Sequence, residues 1–247
     1  MSRQPDSQVR FERSLKRVRT YLGGALAADT LRPLLVWENP YFPSYYIPAA
    51  DVTADLIPAG QGEPTDLLGA AEVFDVRAGA GTSARAARRY PAAPAAEIAD
   101  AIRFEWSAMS EWLEEDEPVY THPRSPYTRV DILASSRRVR VDLDGVTIAE
   151  SGQPRILYET GLPPRYYLPL TDIRMDLLHP SQTVSHCPYK GTASYWSVDT
   201  GTRVHDDVVW MYRTPLPECS KIAGLACFYT EKVNLFVDGA AQSVPGR

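Results

Sequence analysis

Cysteine is scarce in this chain: of 247 residues only Cys187, Cys219 and Cys227 are cysteine, all in the last third. Any single pairing leaves one thiol over, which fits a reducing compartment better than a disulfide framework. A structural zinc site brings two cysteine or histidine pairs at short spacing. Here there is only the adjacent His186-Cys187, with His122, His179 and His205 scattered, so neither a metal nor another cofactor is expected. A glycine-rich phosphate loop and a paired-aspartate metal motif are missing too. The start, MSRQPDSQVRFERSLKRVRT, lacks the apolar core of a leader peptide, and no later run approaches the roughly 18 apolar residues of a membrane helix. The expectation is a cytoplasmic protein without a membrane partner. Basic charge is not concentrated either: 26 Lys and Arg are interspersed with 31 Asp and Glu, a net charge of −5 that offers nucleic acid no basic stripe.

What the chain does have is a 44% hydrophobic composition, ample for a buried core, and an internal repeat. RVRTYLGGALAADTLRPLLVWENPYFPSYYIPAADVTADL, from Arg17, aligns without a gap on RVRVDLDGVTIAESGQPRILYETGLPPRYYLPLTDIRMDL, from Arg138. About fifteen of roughly forty positions are identical, including Gly24/Gly145, Glu38/Glu159, Tyr45-Tyr46/Tyr166-Tyr167 and Asp51/Asp172. The chain therefore reads as two tandem copies, residues 10–127 and 128–247, expected to pack as a pseudo-twofold pair.

The second copy reads as strands nearly throughout. Val139, Val141 and Leu143 alternate, Asp144-Gly145 is a hairpin signal, and Val146 and Ile148 resume the alternation. Short strands follow at 155–158, 173–178, 183–187, 193–198, 208–212, 226–229 and 233–237, with a short helix from Pro217 to Gly224. This density of short strands predicts an all-β fold made of small, folded-over antiparallel sheets. The first copy follows the plan to Pro58 and then has PAGQGEPTDLLGA where the second has HPSQTVSHCPYKG, without the cysteine or the lysine. It then carries an Ala/Gly/Arg-rich stretch, AGAGTSARAARRYPAAPAAE, which reads as a mobile surface loop. Ser107 to Glu117 reads as a helix capped by Ser107, with Met109 and Trp112 inward.

LYETGLPPRYYLPLTDI, TVSHCPYKGTASYW, VVWMYRTPL and IAGLACFY, in that order, resemble the signature of the domain-of-unknown-function 427 family, sometimes labelled a nucleotidyltransferase. The first copy is similar in its front half and in WSAMSEWLEEDEPVYTHPRSPY. The resemblance implies two tandem β-tent-like domains, each with a short helix, similar to zinc-holding relatives but without their cysteine pairs. It implies no activity.

The residues with chemistry to offer gather around SHCPYKGTASYW. Cys187 precedes Pro188 at a strand end, where reactive groups are displayed, and a nearby Lys190 ammonium would favour its thiolate. The competing reading is a small packed side chain, the usual fate of a free cysteine. Adjacent strand residues point to opposite faces, so His186 is excluded as the base; His179, His205 and Glu159 remain. Glu159, with Cys187 and Lys190, completes the candidate catalytic set, and Arg165 is a candidate partner for Glu159. Tyr158, Arg165, Tyr167, Tyr195, Trp210, Tyr212 and Tyr229 are the candidate ligand-binding residues, as walls of an aromatic pocket or as core. Asp51 and Asp172 read as caps of backbone amides. The expected function is the handling of a small molecule of unknown identity in the second copy, through Cys187 or Lys190. The alternative is a non-catalytic β-module for assembly, as a homodimer for example, or for partner recognition.

Overall fold

The computed structural model describes residues 9–242; residues 1–8 and 243–247 lie outside the description. By internal contacts the chain divides after Ser125 into two compact units. Each consists of one seven-stranded and one four-stranded antiparallel sheet, so the all-β reading holds in both.

In the second unit, strand Val139–Leu143 returns as Val146–Ser151 through Asp144-Gly145. The φ angles there, +49° and +80°, are the left-handed pair that a type I′ turn demands. Asn234–Val237 flanks Val139–Leu143 on its other side, and a second Asp-Gly turn at Asp238-Gly239 adds Ala240–Ala241. The seven-stranded sheet runs, in spatial order, Val130–Ala134, Arg155–Glu159, Arg165–Leu168, Ala226–Phe228, Val204–Met211, Gly191–Asp199 and Leu178–Cys187. Side chains alternate along these strands, so both faces of the sheet receive apolar residues.

One face meets the four-stranded sheet: Leu168, Trp196, Val209, Met211, Ala226 and Phe228 pack with Val139, Val141, Ile148 and Leu235. On the other, outer face, Leu157, Tyr167, Tyr195, Trp210, Tyr212 and Cys227 form a second cluster. It is covered by Cys219 and Ile222 of the 3₁₀ segment Pro217–Ile222, which is the short helix expected from Pro217. The strand expected at 173–178 is instead a 3₁₀ turn, Met175–Leu177, leading into one long strand, Leu178–Cys187.

The first unit repeats this plan. Its seven-stranded sheet orders Arg10–Arg13, Leu34–Trp37, Ser44–Pro48, Ala101–Phe104, Gly81–Arg89, Gly69–Ala78 and Asp55–Thr65; its four-stranded sheet orders Glu117–Pro118, Glu111–Glu114, Val18–Leu22 and Ala25–Thr30. Two expectations are corrected here. The Ala/Gly/Arg-rich stretch is no loop: Gly81–Arg89 is a strand and Ala96–Ala99 a helical turn. Its small residues serve close packing, since Ala86 and Ala87 are buried between the sheets and a Cβ on Gly81 would stand 2.8 Å from the Leu22 carbonyl oxygen. The helix expected over Ser107 to Glu117 is a 3₁₀ turn, Trp106–Ala108, followed by the strand Glu111–Glu114. Trp112 and Met109 are indeed buried, Met109 at the end of the 3₁₀ turn and Trp112 through pairing with the edge of Val18–Leu22, where it lies opposite Thr20. A free strand edge beside an apolar site outweighs local helical preference.

Truncation of the between-sheet core should be costly. Phe228, 3% exposed, is expected to destabilise the second unit by about 3–5 kcal/mol when replaced by alanine. Replacing Tyr158, 42% exposed, should change stability by no more than about 0.5 kcal/mol. Chemical denaturation of the two variants checks the contrast.

Candidate functional site

The outer face of the second unit's long sheet ends in the turn Cys187-Pro188-Tyr189-Lys190-Gly191, in which Cys187 lies opposite Gly191 and the Lys190 N–H donates to the Cys187 carbonyl at 3.3 Å. Gly191 takes φ +100°, a conformation strained for any side chain, and this closes the turn. The segment after the sheet's neighbouring strand fastens the turn down: the Leu216 N–H donates to the Lys190 carbonyl at 3.1 Å and the Cys219 thiol to the Tyr189 carbonyl at 3.3 Å.

From this turn the Lys190 ammonium reaches Glu159, at the end of strand Arg155–Glu159, and donates to its Oε2. The pair is nearly closed off from solvent, with side chains 12% and 9% exposed. Burial works against the ammonium, but the charge that Cys187 carries once ionised, and then the Glu159 carboxylate, outweigh it and hold Lys190 above the ordinary lysine value.

Among the three thiols, Cys219 and Cys227 are buried, and burial pushes them up to about 11 and about 12. Cys187 is half-buried at the rim of the outer cluster. His186, the next residue back, is exposed and meets Thr192 Oγ1 at 3.0 Å on the opposite face. His205 is hydrogen-bonded to Asp144 at 2.6 Å, and His179 lies at the far end of Leu178–Cys187. Of the three candidate bases only Glu159 stands at the turn, and it is engaged by Lys190.

The aromatic residues are mostly packed core. Tyr167, Tyr195, Trp210 and Tyr212 are each at most 8% exposed. Trp210 Nε1 donates to the Tyr167 hydroxyl at 3.2 Å, and its ring lies 4.5 Å from that of the half-buried Tyr229. Tyr158 is exposed and stands apart from this cluster. Arg165 does not pair with Glu159: its guanidinium forks onto Glu231 at 2.7 and 3.0 Å, and lies over Trp210 at 5.6 Å. Two features stay polar. Ser185 Oγ, Tyr195 and Tyr229 form a chain of hydroxyls at 2.7 and 3.5 Å. The Tyr212 hydroxyl makes no hydrogen bond among the described residues, and burial, then the neighbouring Cys187, raise its phenol. Asp51 and Asp172 accept from the hydroxyls of Thr30 and Thr171 rather than capping amides.

Ser185 was legible as a partner and overlooked, because strand periodicity puts it on the face of Cys187. Glu231 carried no such signal, since it lies 66 positions from Arg165.

The first unit has a corresponding turn, with Thr65 opposite Gly69 and the same left-handed glycine. There Lys190 is matched by Leu68, 1% exposed, and Cys187 by Thr65. The repeated carboxylate Glu38 nevertheless has a cation: Arg103 Nε donates to it at 2.9 Å. Arg103 occupies the strand position that Cys227 fills in the second copy. Both copies neutralise the same carboxylate, from different places.

Residues 10–115 and 131–239 each match a family described as a domain of unknown function, DUF427. The matches span most of the chain, which belongs to that family as a tandem of two such domains. The family's nucleotidyltransferase label is a name and attaches no activity to any residue. No curated protein matches the chain. Among the described residues no helix is long and apolar enough to cross a membrane, and no cluster of three His, Cys, Asp or Glu has the arrangement of a metal site.

Removing one charge should be worse than removing both. Lys190→Leu strands the Glu159 carboxylate in a nearly dry site and is expected to cost about 3–5 kcal/mol. The double variant Lys190→Leu, Glu159→Gln, which imitates the leucine of the first copy, should recover most of that loss, and urea denaturation of both variants checks it. The pH dependence has a fixed sign. The folded-state value of Lys190 lies above the unfolded one, so the pair's contribution is fully present below the ordinary lysine value and is lost as pH rises through the raised one. Stability measured between about pH 9 and pH 12 should fall less steeply in the double variant than in the parent.

Proposed function

We propose that this protein handles a small molecule at the outer face of its second unit, with the Cys187 thiol as the reacting group and Lys190 as a fixed cation beside it. The observation that carries this reading is the turn itself, which sets the half-buried Cys187 three residues from a largely shielded lysine anchored by Glu159. A lysine acting as nucleophile or forming a Schiff base needs a depressed value, and Lys190 is shifted the other way. Its role here is that of a positive charge, fixed for an anionic group on the ligand. Glu159 positions Lys190. The unbonded Tyr212 hydroxyl and the Ser185-Tyr195-Tyr229 chain supply polar contacts at the edge of an apolar surface, the mixture that small-molecule sites use. A pure assembly module would call for like turns in the two copies. Theirs differ at the cysteine and the lysine.

The test is labelling of the native protein by iodoacetamide at limiting dose, read by peptide mass spectrometry. Cys187 is expected to react ahead of Cys219 and Cys227. Its preference for the anionic reagent iodoacetate over neutral iodoacetamide should fall severalfold in the folded Lys190→Leu, Glu159→Gln double variant, in which no carboxylate is stranded. Equal labelling of the three thiols, or an unchanged preference in the double variant, would refute the reading.

A further inference from the structure

The first unit carries a cavity that the reading above leaves unused. Its volume is about 490 Å³, within the range of small-molecule sites, and it opens among the segments Trp106–Ala108, Glu111–Glu114 and Pro118 to Tyr120. Trp106 and Trp112 stack in its wall, rings parallel to within 5° and 4.5 Å apart. Trp112 is buried and fixed from behind by its own N–H, which donates to the Trp106 carbonyl at 3.2 Å. Trp106 is only half-buried. Met109, Val119 and Tyr120 complete the apolar lining.

The cavity's polar lining is Ser107, Ser110 and Glu111, of which Glu111 alone carries a charge. Acids crowd the following residues, but most of them are answered: Glu114 takes Lys16, Glu115 accepts the Arg17 N–H at 2.9 Å, and Asp116 takes Arg19 at 2.6 Å. The Glu111 carboxylate has no hydrogen-bond or ion-pair partner among the described residues, and neither has that of Glu117 nearby in the chain. Glu111 is also exposed.

We infer that this cavity binds a small organic cation with an apolar body, an alkylated ammonium, held against the half-buried Trp106 ring, which the buried Trp112 backs, and neutralised by Glu111. Tryptophan is the strongest of the aromatic partners for a cation, and an unanswered carboxylate selects positive charge over negative. The site belongs to the first copy alone. In the second copy Thr230 and Leu235 stand where the tryptophans stand in the first, by the pairing of Leu235 with Val141 that matches Trp112 with Thr20.

Isothermal titration of the intact protein with benzyltrimethylammonium chloride tests this, with its uncharged carbon analogue and phenylacetate as controls. The cation should bind saturably at one site per chain and phenylacetate should not bind. Glu111→Gln should weaken the cation about tenfold while leaving the carbon analogue unaffected, and Trp106→Phe should weaken it by a smaller factor. Trp106→Phe keeps a ring in the wall, so folding survives the change, and Cys187 labelling serves as the control that the second unit is intact. No saturable binding of the cation, equal binding of phenylacetate, or a Glu111→Gln variant with parental affinity would each overturn the inference.

Discussion

A long antiparallel sheet with two apolar faces must be covered twice, and that requirement organises each unit. One face is met by the four-stranded sheet, which the hairpin at Asp144-Gly145 folds into position. The other meets no second sheet of its own unit among the described residues. In the second unit it is closed by a short 3₁₀ segment and the aromatic rings themselves, in the first by the helical turn carrying Ile98 and by Leu68 and Tyr90. A cover built from turns and single side chains tolerates substitution more readily than a sheet–sheet interface, where volume is conserved on both sides. The copies differ on both faces, with Leu235 for Trp112 in the inner core and Lys190 for Leu68 at the outer face.

The carboxylate at Glu38 and Glu159 marks the limit of that tolerance. Near the end of a strand and largely shielded, it cannot be left without a cation, and each copy supplies one. The energetic penalty of an unpaired buried charge far exceeds that of exchanging one cation for another. The side chain that recurs in both copies is thus the one whose isolation is most costly, and the candidate chemistry follows from where its cation comes from. A cation delivered by a turn, beside a thiol, can act on a ligand. One delivered from within the sheet, already shared with Glu105 at 2.7 Å, is a structural tie.

Much of this was legible in the residues. The repeat identified two units of one fold, alternation at Val139, Val141 and Leu143 with Asp144-Gly145 located the hairpin, and strand parity separated His186 from Cys187. The failures were of one physical kind, in which tertiary context reversed a local signal. Alanine and glycine between 79 and 97 looked like loop composition, yet their smallness is what close approach of Gly81 to Leu22 requires. Ser107 to Glu117 had a helical cap and spacing, but an open strand edge lay waiting at Val18–Leu22. At the site, the turn and its lysine were readable because they are contiguous. The partners of Glu159 and Arg165 were not, since Lys190 and Glu231 reach them across the sheet from 31 and 66 positions away. The same limit hid the true state of the aromatic set, because periodicity places a ring on a face without saying what lies over it.

The exchange of cations between the copies has a consequence for how such a duplicate can change. Converting one arrangement into the other needs two substitutions, an arginine gained on the strand and a lysine lost from the turn. If the lysine goes first, the chain passes through a state with a stranded carboxylate. If the arginine arrives first, the carboxylate is briefly served twice and the turn is then free to become Thr65 and Leu68. The steps between the two copies are therefore ordered, with the new tie made before the old one is released.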